Sequence, residues 1–101
     1  PHDLAQGLQG RKRLDPDTGM LFDFGVPLPV YMWMKNTFVA LDMIFIAADG
    51  RIVTIARATT PESLAIIESA GPVRAVLEVP AGTAARLGVR PGDRVEHRIF
   101  Q

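Results

Sequence analysis

A compact group of polar side chains lies inside the most apolar part of this chain. Lys35, Asn36 and Thr37 follow the single tryptophan, Trp33, and Asp42 comes shortly after them, with apolar residues on both sides of the group. Polar groups in such surroundings must be hydrogen-bonded or must hold a ligand. An indole beside polar groups also suits a hydroxyl-rich ligand, which needs a flat apolar face together with directional contacts. The sequence therefore predicts a cleft that binds a small polar ligand, such as a glycan or a peptide segment.

The same residues support two other interpretations. A small hydrolase would use Asp42 as a general base and Lys35 as an electrophile or pKa partner, although no convincing nucleophile accompanies them. In a purely structural interpretation, Asp42 accepts backbone N–H groups and fastens the connection that follows Lys35, as aspartate in loops commonly does. Trp33 would then be a core residue, and the function would lie in a surface for a partner.

Other candidates are weaker. Met32 and Met34 could offer thioether ligands to Cu(I) with His2 or His97, but methionines among large apolar neighbours are usually core residues. We therefore expect no metal and no cofactor. Glu78 alternates with the apolar residues of its segment, as Arg74 does, so a surface ion pair is expected for it.

Composition narrows the function classes. Eleven basic and eleven acidic residues cancel, so no overall field favours nucleic acid, and no nucleic-acid partner is expected. The absence of cysteine rules out disulfides and thiolate sites. The apolar runs are too short for a transmembrane segment. The sequence also lacks the spacing of a Ser-His-Asp triad, an HExxH motif, a P-loop and a dinucleotide fingerprint.

Residue patterns predict the elements that position the polar group. Asp-Gly at 49–50 lies between two β-rich runs and predicts a hairpin with a type I′ turn. Thr-Pro at 60–61 predicts the start of a helix, although the following run also suits a strand. A short helix is expected after Asp3, and a second one over 82–88, ended by glycine. Alternation or apolar runs predict strands at residues 20–24, 30–36, 41–48, 51–57, 73–79 and, as a wet edge strand, 94–100.

These elements indicate one α+β domain over residues 1–101 in which β-structure dominates. We expect five to six short, mostly antiparallel strands and two or three short helices, because the connections are too short for parallel crossovers. The strands would form a curved sheet or a small, partly closed barrel.

Several segments resemble one known family in the same order along the chain. The most specific is the Trp-Met-Lys-Asn-Thr block at 33–37. The others are Gly7-Leu8 with Arg11, Gly-Met-Leu-Phe at 19–22, Leu-Asp-Met-Ile-Phe-Ile at 41–46, Asp49-Gly50, Val-Leu-Glu-Val at 76–79, Ala81-Gly82, and Gly88-Val89 through Pro-Gly-Asp at 91–93. Together they resemble domain of unknown function 192, a family of small uncharacterised bacterial and archaeal proteins.

The resemblance implies more about location and fold than about activity. Members often follow a signal peptide or lipoprotein leader, so periplasmic or secreted location is expected. They usually begin with a further strand, so the chain is expected to lack a leader and that first strand. Arg11 matches a family position and could donate two hydrogen bonds to a carboxylate or phosphate, so it joins the candidate binding residues. No established activity comes with the family.

Overall fold

The computed structural model describes residues 19–100, in which one antiparallel sheet dominates. Its strands are β1 (Met20–Met32), β2 (Leu41–Ile46), β3 (Ile52–Ala56) and β4 (Ile67–Pro80). Their order across the sheet is β1-β4-β2-β3, and all neighbouring pairs are antiparallel. One short helix, α1 (Thr83–Leu87), follows β4, and a 3-10 turn occupies Arg98–Phe100.

The β-dominated, antiparallel class is confirmed, and the finer expectations are only partly met. Within residues 19–100 the sheet has four strands, and α1 is the single α-helix. β1 and β3 are its edges and do not pair with each other, so this part of the chain forms an open sheet instead of a barrel. The helix expected after Asp3 lies outside the described residues.

Strand β1 is longer than predicted because Gly25 does not end it. Gly25 adopts a positive φ of 85°, and the register with β4 shifts between Asp23 and Leu28, so the chain bulges and continues. Pro27 and Pro29 are tolerated because β1 is an edge strand, where one side of the backbone has no ladder to complete. The two strands predicted at 20–24 and 30–36 are therefore largely one element.

The helix predicted from Thr60 is wrong. The main-chain N–H of Glu62 donates to the Thr37 carbonyl (2.9 Å), and that of Met34 donates to the Ser63 carbonyl (3.0 Å). These bonds fasten the connection to the segment after β1, so its backbone groups are not free to form helical bonds. The following residues enter β4 at Ile67 instead.

The hairpin at Asp49-Gly50 is confirmed, with a different turn. A type I′ turn needs positive φ at both central residues, but here only Gly50 has it (90°). The Gly50 N–H donates to the Ala47 carbonyl (2.9 Å), and the Ala47 N–H donates to the Arg51 carbonyl (2.8 Å). The register between β2 and β3 also shifts near this end. This is a type I turn followed by a glycine bulge.

The predicted edge strand over residues 94–100 is reduced to one bridge, between Arg94 and Arg51. The Val95 N–H donates to the Gly50 carbonyl (2.7 Å), and a Cβ on Gly50 would lie 2.6 Å from the Val95 carbonyl oxygen. The chain then turns, with the Phe100 N–H donating to the His97 carbonyl (3.0 Å). Alternation predicted a strand, but the turn lets Phe100 pack beneath the sheet.

The sheet has a hydrophobic cluster on each face. We call the first the methionine core, which comprises Val30, Met32, Met34, Leu41, Met43, Phe45, Val73 and Val76. We call the second the isoleucine core, which comprises Ile44, Ile46, Ile52 and Val79, with Val95 and Phe100 packed against it. The two clusters cover both faces of β2, and all six of its residues are buried, Asp42 included. Strand β4 is likewise buried or half-buried from Val73 to Pro80, whereas Glu68 and Ala70 near its start are exposed.

Candidate functional site

Trp33 lies just beyond the end of β1, with its side chain directed away from the methionine core. Burial alternates from Tyr31 to Met34: Tyr31 is exposed, Trp33 is half-buried, and the two methionines are buried. Residues two apart on an extended chain point to the same side, so Tyr31 and Trp33 share a face. The Lys35 ammonium nitrogen lies 5.2 Å from the Trp33 ring centroid, a cation–π contact. Trp33 is therefore neither sealed inside the core nor free.

Asn36 and Thr37 form a turn that fixes the position of Lys35. Asn36 has a positive φ of 57°, a conformation that asparagine tolerates better than most residues. The Thr37 N–H donates to the Met34 carbonyl (3.0 Å), which closes the turn. Thr37 is buried, and its hydroxyl donates to the Lys35 carbonyl (3.4 Å). Thr37 thus serves the turn, whereas Lys35 and Asn36 stay exposed.

Asp42 lies in a different environment from the one that the cleft hypothesis requires. Its side chain is only 1% exposed. One carboxylate oxygen accepts the N–H of Ala58 (2.9 Å), and the other accepts the N–H of Ala84 in the first turn of α1 (2.9 Å). Gly82, at the N-cap of α1, has no side chain to satisfy those N–H groups, so Asp42 supplies the missing cap from the sheet.

The structure therefore brings together only part of the predicted site. Trp33, Lys35 and Asn36 lie side by side, and Thr37 supports them from beneath. The hydrogen bonds described for Asp42 go to the backbone of α1 and of the connection after β3, as the structural interpretation expected. A carboxylate so deeply buried is not positioned as the accessible base that the hydrolase interpretation assigns to Asp42. Arg11 lies outside the described residues.

The sequence missed Glu78. It was expected at the surface beside Arg74, but it is 3% exposed and lies on the methionine-core face of β4. Its Oε1 atom has no hydrogen-bond partner among residues 19–100. Burial raises the pKa of its carboxyl group to about 7. Arg74 instead forms an ion pair with Asp23. The available signal was the apolar context of Glu78, between Leu77 and Val79 in a run with few polar residues.

Two shallow depressions occur on the described surface. One, of about 250 Å³, runs beside Tyr31 and is lined also by Pro29, Glu68, Ser69, Ala70 and Gly71. The second, of about 310 Å³, lies under the C-terminal segment around His97 and Phe100. The first continues the face on which Trp33 lies, because Tyr31 belongs to both. Tyr31 and Glu68 are thus further candidates that the sequence did not single out.

Of the copper ligands that were weighed on the sequence, His2 lies outside the described residues, and His97 is not brought to the two methionines. Met32 and Met34 are in the methionine core, and the Met34 sulfur accepts the Thr59 hydroxyl (3.2 Å). His97 instead makes an edge contact with Phe100, at 6.4 Å between ring centroids. Across residues 19–100, histidine and carboxylate side chains form no group of three that could hold a metal. No helix in the same range is long and apolar enough to cross a membrane.

Comparison with known proteins gives the family. The model of DUF192, described as "Uncharacterized ACR, COG1430", matches residues 1–97. The chain belongs to the DUF192 family. The family resemblance drawn from the Trp-Met-Lys-Asn-Thr block is thereby confirmed. No match is found among curated proteins.

Two solved structures are similar to this DUF192 chain. One is a putative transcription regulator from Sinorhizobium meliloti 1021, with 58% identity and a TM-score of 0.90, covering 93% of this chain and 73% of the other. The second is a protein of unknown function from Novosphingobium aromaticivorans DSM 12444, with 43% identity and a TM-score of 0.88, covering 92% of this chain and 66% of the other. The first description names a role in transcription regulation for that protein, and the second names no function.

Proposed function

We propose that this protein is a non-enzymatic binding module that holds a small polar ligand, such as a glycan or a peptide segment, against Trp33. One arrangement carries the proposal: a half-buried indole with the Lys35 ammonium 5.2 Å from its centroid and the exposed Tyr31 on the same side. Partial burial holds the indole in place while leaving part of it open. Such a platform gains contact area at low entropic cost, because the ring is already ordered.

The proposal assigns different roles to the residues around Trp33. Trp33 and Tyr31 stack on apolar faces of the ligand, and Lys35 and Asn36 supply hydrogen bonds at its edge. The depression beside Tyr31 adds Glu68 as an acceptor. Thr37 and Asp42 shape the scaffold without touching the ligand, and Arg11 stays a candidate donor from outside the described residues.

DNA binding, which the name of one similar structure would suggest, receives little support from the described residues. Their single α-helix, α1, has five residues, and two of them, Thr83 and Ala84, are buried. A helix of that size cannot fill a major groove as recognition helices do. The neutral net charge also provides no general attraction to phosphates. No nucleic-acid partner therefore remains our expectation, and a gel-shift assay with mixed-sequence duplex DNA tests it.

The single tryptophan makes a direct binding test available. Tryptophan emission, excited selectively over that of tyrosine, reports on Trp33 alone in this chain. We expect at least one member of a panel containing N-acetylglucosamine oligomers, maltotriose and alanine tripeptides to change its emission saturably. Trp33→Ala, followed by NMR, should abolish the binding while the fold persists, and Lys35→Gln should weaken it. Leu87→Ala, at an exposed residue of α1, is the matched control.

The proposal fails if Trp33→Ala remains folded and binds the same probe as well as the wild type. It also fails if no probe in the panel perturbs the resonances of Tyr31, Trp33 or Lys35. Location is a separate part of the proposal. The family resemblance supports export, and fractionation of cells that carry the native gene tests it, since recovery only with cytoplasmic markers would contradict it.

A further inference from the structure

Three side chains on the methionine-core face of the sheet form a row across adjacent strands. Glu78 on β4 is the register partner of Met20 on β1 and of Met43 on β2. Direct partners in a sheet project from the same face, with Cβ atoms about 4.5–5.5 Å apart. The carboxylate therefore stands between two thioethers. Methionine side chains are flexible enough to bring both sulfur atoms toward a point above it.

Glu78 is a buried carboxylate that lacks a hydrogen-bond partner within the described residues for one of its oxygen atoms. It is 3% exposed, and its Oε1 atom has no partner among residues 19–100. Its register neighbours on this face and the next ones along the strands, Phe22, Leu41, Phe45 and Val76, are apolar. Burying an unpaired ionised group is costly, so such groups usually face a cation or a donor. Within residues 19–100, the side chains on either side of Glu78 in this row are the two thioethers. Their sulfur atoms can donate electron pairs to a metal ion.

The charge of Glu78 and the thioether donors beside it indicate which kind of metal ion the row would bind. Thioether sulfur is a soft donor that selects Cu(I) over hard cations such as Mg²⁺ and Ca²⁺. One carboxylate neutralises one positive charge, so a monovalent ion leaves this apolar site with no net charge, whereas a divalent ion leaves it positive. We propose that Met20, Glu78 and Met43 form a binding site for a soft monovalent metal ion of the Cu(I) type.

The row of Met20, Glu78 and Met43 is open to solvent at one end and is separate from the Trp33 platform. Met20 is only half-buried, and Gly19 before it is exposed, so the β1 end of the row is open to solvent. Trp33 is on the side of its segment away from the methionine core. The metal site therefore does not depend on the proposed ligand platform, and either can fail without the other.

Silver(I), a stable stand-in for Cu(I), is the probe. The full chain carrying His2→Gln and His97→Gln, which removes both histidines, is titrated with silver nitrate in chloride-free buffer. We expect one equivalent to bind and to shift the methyl resonances of Met20 and Met43 more than those of Met32 and Met34. Glu78→Gln should lower the affinity by more than about tenfold, since even outer-shell partners of metal sites reach that range.

Matched variants distinguish silver binding at this row from silver binding by any methionine of the core. Met20→Leu and Met43→Leu should each weaken binding, whereas Met32→Leu, in the same core but paired with Ile67, should not. The wild-type methyl shifts provide a second readout if Glu78→Gln fails to fold. The proposal is overturned if Glu78→Gln binds silver as tightly as the wild type, or if the Met20 and Met43 methyl groups do not respond. It is also overturned if Arg11→Gln raises the Glu78 pKa in metal-free protein, since the chain's own guanidinium would then be the partner.

Discussion

Two buried carboxylates on neighbouring strands of this sheet have opposite surroundings. Asp42 on β2 is paired in register with Val79, and Glu78 on β4 is paired with Met43. The two acids are thus one step apart along the ladder and project from opposite faces of the sheet. Asp42 accepts two backbone N–H groups at 2.9 Å, whereas Glu78 Oε1 has no partner among residues 19–100.

The difference shows that burial alone does not mark a functional acid. The isoleucine-core face is covered by α1 and the connection after β3, and their N–H groups supply a partner for each Asp42 oxygen. The residues that neighbour Glu78 in the sheet offer side chains without donors. A satisfied buried carboxylate stabilises a fold, whereas an unsatisfied one costs stability and is available for a ligand or a proton. Asp42 is therefore a scaffold residue, and Glu78 is the better candidate for chemistry.

The largest effect is expected from Asp42→Ala. This change leaves the N–H groups of Ala58 and Ala84 without their acceptor, and hydrogen bonds to a charged group contribute about 1.5–3 kcal/mol each. We expect a loss on the order of 3–5 kcal/mol in the free energy of unfolding, measured by urea denaturation. Asp42→Asn keeps one acceptor oxygen, so it should cost only about 1–3 kcal/mol.

Hydrogen exchange provides the control for this prediction. In Asp42→Asn, at least one of the Ala58 and Ala84 amides should exchange faster, whereas amides in the β1–β4 ladder should change only with global stability. If Asp42→Ala loses less than about 1 kcal/mol and the Ala84 amide stays protected, the two acids do not differ as described.

Glu78 should give the second largest effect, and it should depend on pH. Burial raises its pKa from 4.5 to about 7, so between these values the unfolded chain has lost a proton that the folded chain keeps. Stability falls with rising pH wherever the folded state binds more protons. This group should therefore lower the free energy of unfolding by up to about 3 kcal/mol between pH 4 and pH 8.

The measurement is a series of urea denaturation curves across that pH range in metal-free buffer. Glu78→Gln should remove this decrease, while Glu68→Gln, at an exposed glutamate of the same strand, should retain it. Equal pH dependence in wild type and Glu78→Gln would show that the Glu78 carboxyl group has a stabilising partner in the folded state. The contrast between the two acids would then disappear.

The sequence predicts the local elements of this fold better than the partners of its polar residues. The hairpin at Asp49-Gly50 and the helix ended by Gly88 are set by nearby residues, and both were predictable. The helix expected from Thr60 fails because Met34 and Thr37 bond to this connection from a distant part of the chain. Local patterns carry no information about such contacts.

The candidate site shows the same division. The turn residues Asn36 and Thr37 and the contact between Lys35 and Trp33 are close in sequence, and they also lie together in the structure. Asp42 was added to that group by sequence proximity, but its partners at 58 and 84 are distant in sequence. Glu78 was missed because alternation along one strand predicts a wet face only when one face of the sheet is open. Here both faces of the sheet are covered around Glu78.

The smallest effect is expected at a third carboxylate, Asp23, which is exposed. The side-chain hydrogen bond from Arg74, followed by the backbone N–H of Gly25, lowers the pKa of Asp23. Arg74→Gln should raise that pKa toward its usual value in an NMR titration, while the pKa of Asp49, lowered mainly by the Arg51 N–H, should not move. Stability near neutral pH should hardly change, because exposed ion pairs contribute little. If Arg74→Gln lowered the free energy of unfolding as much as Asp42→Ala does, burial and backbone partners would not determine which carboxylate stabilises this fold.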